Sequence, residues 1–284
     1  MECGLEGFDD LGRGTYADVI RGLDWILANR DAYGIRVLNL SFSAAPRSYY
    51  WDDPLNQAVM EAWRAGIVVV ASAGNTGPDP MTIGAPGNVP YVITVGAMTD
   101  NYTPDDVTDD YLASFSSAGP TVEGFVKPEI VAPGGHMLGL MSTGSRIAME
   151  HPEFHDGGQY FNMSGTSQAA AAVSGIVALM LQAEPYLTPD DVKCKLMASA
   201  RPAVEHDGTL AYSVFQQGAG VVNAYDAVYG TDLTCANRGL DIAKDLAGTA
   251  HFGGRANVDE SGRYYIGCYL QKGMEIASMW GRFI

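Results

Sequence analysis

Residues 162–168 read Asn162-Met163-Ser164-Gly165-Thr166-Ser167-Gln168, and they run directly into an almost uninterrupted apolar segment over residues 169–181. The apolar segment predicts a helix that is hydrophobic nearly all round, as buried helices are. Gly165 permits a sharp turn, and Ser167 falls in the first turn of the helix. A hydroxyl there lies beside free backbone N–H groups and the positive end of the helix dipole, which favour developing negative charge. Ser167 is therefore a candidate nucleophile, whereas in isolation it would be read as an ordinary serine.

Helical and strand patterns alternate upstream of this segment. Thr15 with Asp18 resembles a capping box for a helix that Gly34 ends, and Asp53-Pro54 begins a helix that Gly66 ends. Apolar segments between and after these helices predict strands over residues 35–41, 67–73 and 91–97. Such alternation is typical of a parallel sheet covered by helices and joined by right-handed crossovers.

Two polar side chains follow predicted strands directly. Ser41 ends the first strand, and Asn75 follows the second. Functional groups of open parallel sheets gather at the carboxyl ends of the strands. We therefore expect Ser41 and Asn75 to lie on one rim.

The remaining segments complete the predicted outline of the chain. Residues 101–110 predict an acidic surface loop, with a weaker indication of calcium binding, and residues 143–161 predict a long polar loop. Thr188 with Asp191 predicts another capped helix. The last element expected from the residues is a strand over 264–270.

Composition excludes several functional classes. The formal net charge is -16, which would repel phosphates and argues against a nucleic-acid partner. Polar residues or glycine interrupt each apolar run before it reaches eighteen residues, so no membrane span is expected. An acidic surface fits a secreted or salt-exposed protein, and charge does not choose between these.

The four cysteines, Cys3, Cys194, Cys235 and Cys268, are far apart and show no metal-ligand spacing. Cys194 is expected in the core, and a Cys235–Cys268 bridge is conceivable if the protein is exported. The first residues contain neither a basic nor an apolar region, so no signal peptide is predicted and localisation stays open.

Three motifs in one order resemble a known family: residues 67–75 end in Ala-Gly-Asn, residues 115–120 lead into Lys-Pro-Glu-Ile-Val-Ala-Pro-Gly at 127–134, and residues 162–168 carry Gly-Thr-Ser. Together they resemble the subtilisin-like serine proteases (subtilases, peptidase S8), which are usually secreted. The resemblance runs from about Gly14 to about Tyr229. Within it, residues 218–223 resemble the last strand of the subtilase domain, and residues 224–228 resemble its closing helical turn. The resemblance implies a three-layer α/β fold with a mostly parallel sheet, an N-terminal lead (1–13), an N-terminally truncated, incomplete subtilase-like domain (14–229) and a small β-containing C-terminal extension (230–284).

The resemblance also implies site residues. Ser167 matches the nucleophile and Asn75 the side-chain donor of the oxyanion hole. The segment from Ser41 to Ala45 matches the substrate-binding segment, in which Ser43 and Ala44 replace the usual glycines and are expected to narrow the groove. The predicted substrate-binding residues are Ser41, Phe42, Ser43, Ala73 and Gly74.

The family's Asp and His motifs have no match in this sequence, and both would precede Gly14. Without a base a serine is a poor nucleophile at neutral pH. His155, His151 and His136 are possible substitute bases, although each is ordinarily a surface histidine, and neighbouring carboxylates such as Glu153 could orient one of them.

Three functions remain open at this point. The first is a serine hydrolase on a subtilase scaffold that turns over short-chain or activated esters with weak or no proteolysis. The second is an inactive fragment of a secreted serine endopeptidase that needs an N-terminal segment carrying Asp and His, and the third is a non-catalytic peptide binder. No cofactor is expected, although family members often bind calcium. An uncovered sheet edge predicts self-association.

Overall fold

A computed structural model describes residues 14–103 and 105–266. The helices are α1 (Tyr16–Tyr33), α2 (Pro54–Arg64), α3 (Arg146–Glu150), α4 (Thr166–Ala183), α5 (Pro189–Ser199), α6 (Val214–Gln217), α7 (Ala224–Tyr229) and α8 (Ile242–Leu246). The strands are β1 (Val37–Leu40), β2 (Val68–Ser72), β3 (Ile93–Thr99), β4 (Tyr111–Leu112), β5 (Ile130–Pro133), β6 (Met137–Leu140), β7 (Tyr160–Met163), β8 (Ala256–Val258) and β9 (Tyr264–Ile266).

The main sheet has five strands. β1 pairs with β2, β2 with β3 and β3 with β5, all in parallel, and β4 adds antiparallel to the end of β3. Both β2 and β3 are buried along their whole length, as expected of strands with helices on both faces. The architecture is three-layer α/β with a mostly parallel sheet, as the sequence predicted.

The predicted helix ends are confirmed. Thr15 and Asp18 form the reciprocal hydrogen bonds of a capping box, and Gly34 ends α1 in the left-handed conformation with φ 62°. The Asp53 carboxylate caps α2 by accepting from two backbone N–H groups, and Pro54 occupies the first helical position. Thr188 and Asp191 form a second capping box on α5.

Helix α4 lies along the centre of the sheet. It packs against β1, β2, β3 and β5, and Val173, Val177 and Met180 are fully buried on its inner side. By length and composition alone, α4 is apolar enough to cross a membrane, although the sequence predicted no membrane span. Its contacts in this fold are those of a core helix.

Buried charges join β3, β5 and α5. Lys127 Nζ lies 2.7 Å from Glu129 Oε1, and Lys193 Nζ of α5 lies 2.8 Å from the same oxygen. The other Glu129 oxygen accepts from the backbone N–H of Thr94 at 2.7 Å. Burial lowers the pKa of Lys127 to about 7, while the two ammonium groups lower the pKa of Glu129 against the opposing effect of burial.

Three expectations from the sequence were wrong. Residues 143–161 are not simply a loop, because Ser145 caps α3, residues 152–154 form a 3-10 turn, and β7 pairs antiparallel with β6. Residues 218–223 form single bridges to Val131 and Arg201 instead of a regular strand. Cys235 is bonded to Cys194, so the Cys235–Cys268 pairing is excluded here.

The described part of the C-terminal extension packs on the domain. The disulfide ties residue 235 to α5, α8 packs against α2, and β8 and β9 form a two-stranded ribbon. The ribbon matches the small β element that the sequence predicted, although residues 267–270 of the predicted strand lie outside the described range.

Candidate active site

The predicted nucleophile lies at the N-terminus of α4, at the rim where the parallel strands end. Gly165 precedes the helix, and its N–H donates to the Gly134 carbonyl at the end of β5 at 2.8 Å. A side chain at Gly134 would lie 2.8 Å from the Gly165 oxygen, so only glycine allows this close approach of the two backbones. The turn therefore fixes the half-buried Ser167 above the sheet.

Ser167 is hydrogen-bonded to the end of β1. Its Oγ donates to the Ser41 carbonyl at 2.9 Å, and Ser41 Oγ donates to the Ser167 carbonyl at 2.9 Å. Ser41 Oγ also accepts from Asn39 Nδ2 at 2.8 Å. In this arrangement the Ser167 hydroxyl proton is directed at a carbonyl oxygen, which is too weak a base to remove it. The hydroxyl is therefore not activated as a nucleophile by this contact.

Asn75 lies beside the same turn. Its Oδ1 accepts from the N–H of Thr166 at 3.0 Å and from the Thr166 hydroxyl at 2.9 Å. These two bonds leave the Asn75 amide nitrogen as the donor available to a ligand. A methyl group at Gly165 would lie 3.3 Å from that nitrogen, which places it next to the turn that carries Ser167.

Thr166 has a role that sequence reasoning missed. Besides its bonds to Asn75, its hydroxyl oxygen accepts from the N–H of Gly74 at 3.2 Å. The side chain is 1% exposed, so it joins the end of β2 to the start of α4 from within. Its place in the Gly-Thr-Ser motif was the only signal available in the sequence.

The predicted substrate-binding segment is already partly paired. Ala44 forms an antiparallel bridge with Ala85, with N–H to oxygen distances of 3.0 and 2.8 Å. The Phe42 carbonyl accepts from Ser72 Oγ at 3.0 Å. A side chain at Gly84 would lie 1.9 Å from Ser43 Oγ, and one at Gly74 would lie 3.0 Å from it. Ser43 thus occupies the space between two glycines beside Ala73.

None of the three histidines named as substitute bases hydrogen-bonds to Ser167. His155 uses both ring nitrogens on backbone, with Nε2 3.0 Å from the Met141 oxygen and Nδ1 accepting from Gly157. His151 is exposed, 3.4 Å from Glu153. The polar contacts of the His155 and His151 rings are therefore all with residues 141–157.

His136 is hydrogen-bonded to a residue of the turn that carries Ser167. Its backbone N–H donates to Ser164 Oγ at 2.9 Å, three residues before the predicted nucleophile. Its ring stacks on Tyr102 at 3.8 Å, and Nδ1 lies 3.4 Å from Thr99 Oγ1. Over residues 14–103 and 105–266, no group of three or more His, Cys, Asp or Glu side chains is arranged to hold a metal ion.

Comparison with known proteins supports the same family. The family model described as the subtilase family, Peptidase S8, matches residues 4–225. Serine protease AprX of Bacillus subtilis is 44% identical over 232 residues, covering 80% of this chain and 51% of AprX. Subtilisin DY of Bacillus licheniformis is 32% identical over 214 residues, covering 75% of this chain and 62% of that protein. The chain therefore spans between half and two thirds of the length of these relatives.

Solved structures give the same result. The prenylagaramide maturation protease PagA matches with a TM-score of 0.58 and 25% identity, covering 76% of this chain and 68% of that one. The patellamide maturation protease PatA matches with a TM-score of 0.56 and 29% identity, covering 78% and 70%. With the family model matching well over half of the sequence, this chain belongs to the subtilase family and is built on a serine hydrolase scaffold.

Proposed function

We propose that this protein is a serine hydrolase in which Ser167 is the nucleophile and the Asn75 amide completes the oxyanion hole. The observation that supports this proposal most directly is the pair of hydrogen bonds that the Thr166 N–H and hydroxyl donate to Asn75 Oδ1. These bonds orient the amide nitrogen toward the turn that holds Ser167. Donors aimed at the developing oxyanion are typically worth about 3–4 kcal/mol of the barrier. The backbone N–H groups at the start of α4 supply the remaining donors.

We further propose that the substrates are short-chain or activated esters, with weak or no proteolysis. Ser167 Oγ donates to the Ser41 carbonyl and hydrogen-bonds to no histidine among the described residues. Losing a triad partner costs a serine protease about 10⁴-fold or more, while the oxyanion hole and binding retain roughly 10³–10⁴ over water. That remainder suffices for esters with good leaving groups and is too small for amides.

Among the substitute bases, His136 is the first to test. Its backbone is bonded to Ser164, whereas both His155 nitrogens are occupied by backbone groups. Rotation of the His136 ring away from Tyr102 would release the imidazole near the turn. His136→Gln is expected to lower ester turnover about 10²-fold, at the lower end of the usual range for losing a general base.

The deciding experiment is hydrolysis of p-nitrophenyl butyrate and of casein by the wild-type chain, Ser167→Ala, Asn75→Ala and the surface control Ser261→Ala. We expect ester turnover that disappears in Ser167→Ala, falls about 10²–10³-fold in Asn75→Ala and is unchanged in the control. Casein should remain intact. Equal ester rates in wild type and Ser167→Ala would overturn the proposal, and saturable peptide binding by both would then indicate a peptide binder.

A second candidate is a peptidase that becomes active when another polypeptide supplies Asp and His. It is favoured by the edge of the main sheet at β1, which among the described residues pairs only with β2. Beside it, α4 exposes Ala171, Gly175 and Leu179, the last at 53%. An uncovered sheet edge with an apolar strip next to it usually marks a surface that another chain covers. In the absence of one, we propose that two copies associate through this face.

Sedimentation of wild type, Leu179→Glu and the control Tyr186→Glu tests self-association. We expect wild type and the control to form dimers at micromolar concentration and Leu179→Glu to be monomeric, because a buried carboxylate without a partner is costly. A monomeric wild type would exclude association through this face. Casein cleavage that appears only when an N-terminal subtilase segment is added would select the second candidate.

Export is also proposed, on the strength of the Cys194–Cys235 disulfide. Disulfides persist in oxidising compartments and are reduced in most cytosols.

A further inference from the structure

The C-terminal extension carries a buried carboxylate that the proposed chemistry does not use. The Asp245 side chain is 0% exposed, yet it accepts hydrogen bonds from three residues. Tyr50 OH lies 2.5 Å from Oδ2, Tyr91 OH 3.0 Å from Oδ2, and His251 Nδ1 2.7 Å from Oδ1. A buried carboxylate is retained at low cost only when it is paired in this way.

The three partners come from three parts of the chain. Tyr50 lies in the loop of residues 46–53, which directly follows the predicted substrate-binding segment 41–45. Tyr91 precedes β3, and His251 follows α8 in the extension. Asp245 therefore joins the extension, the sheet and this loop at one point.

The extension holds the loop by two residues in succession. Tyr50 is fully buried with its hydroxyl on Asp245. The Trp51 ring stacks on His251, with centroids 4.8 Å apart and planes 10° apart. Burial and the Asp245 charge also raise the pKa of Tyr50, so its hydroxyl remains a donor. Two side chains fixed in one loop leave little freedom to the residues that precede them.

Other contacts fix the extension itself. The disulfide binds Cys235 to α5, and Asn237 accepts from Lys193 Nζ at 3.0 Å. Gly254 N–H donates to the Glu123 carbonyl at 2.8 Å, and Glu123 Oε1 in turn accepts from Tyr50 N–H at 2.8 Å. The disulfide and the Asn237 bond do not involve the loop, whereas Glu123 contacts both the extension and the loop.

We propose that Asp245 and His251 are positioning residues that set the conformation of the loop 46–53 and, through it, of the substrate-binding segment 41–45. This inference rests on the proposed function, because that function is what makes the segment 41–45 a substrate-binding groove. The geometry of the attachment does not depend on Ser167. In this way the extension becomes part of the substrate-binding apparatus.

The test is hydrogen–deuterium exchange on the full chain, comparing wild type with Asp245→Asn. Asparagine keeps the shape and removes the charge that three donors share. A hydrogen bond to a charged group contributes about 1.5–3 kcal/mol, so amides within residues 42–53 should exchange about ten- to a hundredfold faster. Amides of β2 and β3 should change far less.

Two further variants keep the test decisive. Tyr50→Phe removes one bond from the loop side and should accelerate exchange in the same segment by about tenfold if Asp245→Asn fails to fold. The double change Cys194→Ser with Cys235→Ser removes one contact that fixes the extension, so it should accelerate exchange near residues 230–240 and, to a smaller extent, in residues 42–53. The control is Ser261→Ala in the exposed turn between β8 and β9, which should leave residues 42–53 close to wild type.

Ester kinetics give the functional readout. We expect Asp245→Asn to raise KM several-fold with kcat changed less, because the groove and not Ser167 is displaced. Exchange in residues 42–53 that is unchanged, or that rises equally across the whole chain, would overturn the inference. If no variant hydrolyses esters, the proposed function fails, while the exchange data still decide whether the loop is held by Asp245.

Discussion

The two edges of the main sheet are covered very differently. At the β5 edge, Val131 N–H donates to the Gly220 carbonyl and Val222 N–H donates to the Val131 carbonyl, both at 2.9 Å. The buried Glu129 with its two lysines lies immediately beside this edge. At the β1 edge, the described residues provide no second strand, and the Asn39 side chain is exposed.

The two edges differ in what they contribute. The β5 edge stabilises the fold, whereas the β1 edge lies beside the proposed nucleophile. The β5 edge combines backbone pairing with paired buried charges, which provide this stabilisation. The β1 edge ends in Ser41, whose carbonyl and hydroxyl bond to Ser167. The proposed nucleophile therefore lies against the less protected edge, where a partner chain or a small substrate can reach it.

The largest effect is expected at the β5 edge, from Glu129→Gln. The change leaves two buried ammonium groups without their carboxylate, which typically costs about 3–5 kcal/mol. Urea unfolding followed by circular dichroism measures the loss of free energy. A loss below about 1 kcal/mol would mean that Glu129 does not stabilise this edge, and Glu150→Gln on exposed α3 is the control.

Adjacent residues on α4 compare the two environments directly. Met180 is fully buried against the sheet, whereas Leu179 is 53% exposed on the uncovered side. Met180→Ala should lower the free energy of unfolding by about 2–5 kcal/mol, and Leu179→Ala by about 0.5 kcal/mol or less in the monomer. Similar losses for both variants would show that the outer side of α4 is covered.

Removing the disulfide should have a somewhat smaller effect. The bond closes a loop with a sequence separation of 41 residues, and such links typically contribute about 2–4 kcal/mol. Cys194→Ser with Cys235→Ser is therefore expected to lower the melting temperature while leaving kcat for Ser167-dependent ester turnover close to wild type. A fall in kcat at temperatures where the variant remains folded would contradict the prediction that this bond stabilises the fold without acting on Ser167.

The smallest effect concerns pH. With a pKa of about 7 in the folded state and 10.5 otherwise, Lys127 releases its proton on folding between these values. The unfolded chain then binds more protons, so the free energy of unfolding should rise from pH 7 to 9.5. Lys127→Met should flatten this slope.

The measurement should stop below pH 10. Burial and Asp245 raise the pKa of Tyr50 and Tyr91, so their contribution is lost as the pH rises above the ordinary tyrosine value. A free energy that falls between pH 7 and 9.5 in the wild type would contradict the assignment to Lys127.

The sequence alone determined the features that depend on neighbours in the chain. Capping pairs such as Thr15 with Asp18, the glycine that ends α1 and the alternating helices and strands are local patterns, and the structure confirms them. The Gly-Thr-Ser motif likewise placed Ser167 at the start of a buried helix. These depend on propensity and periodicity, which a sequence displays directly.

Only the tertiary structure decided which distant groups meet. Cys194 pairs with Cys235, Glu129 with Lys193, and Asp245 with Tyr50 across 195 residues of sequence. It also showed that His155 is held by backbone and that Ser167 rests on the Ser41 carbonyl. Such pairings are set by how helices pack on the sheet and which polar groups burial forces together, and no periodicity in the chain encodes them.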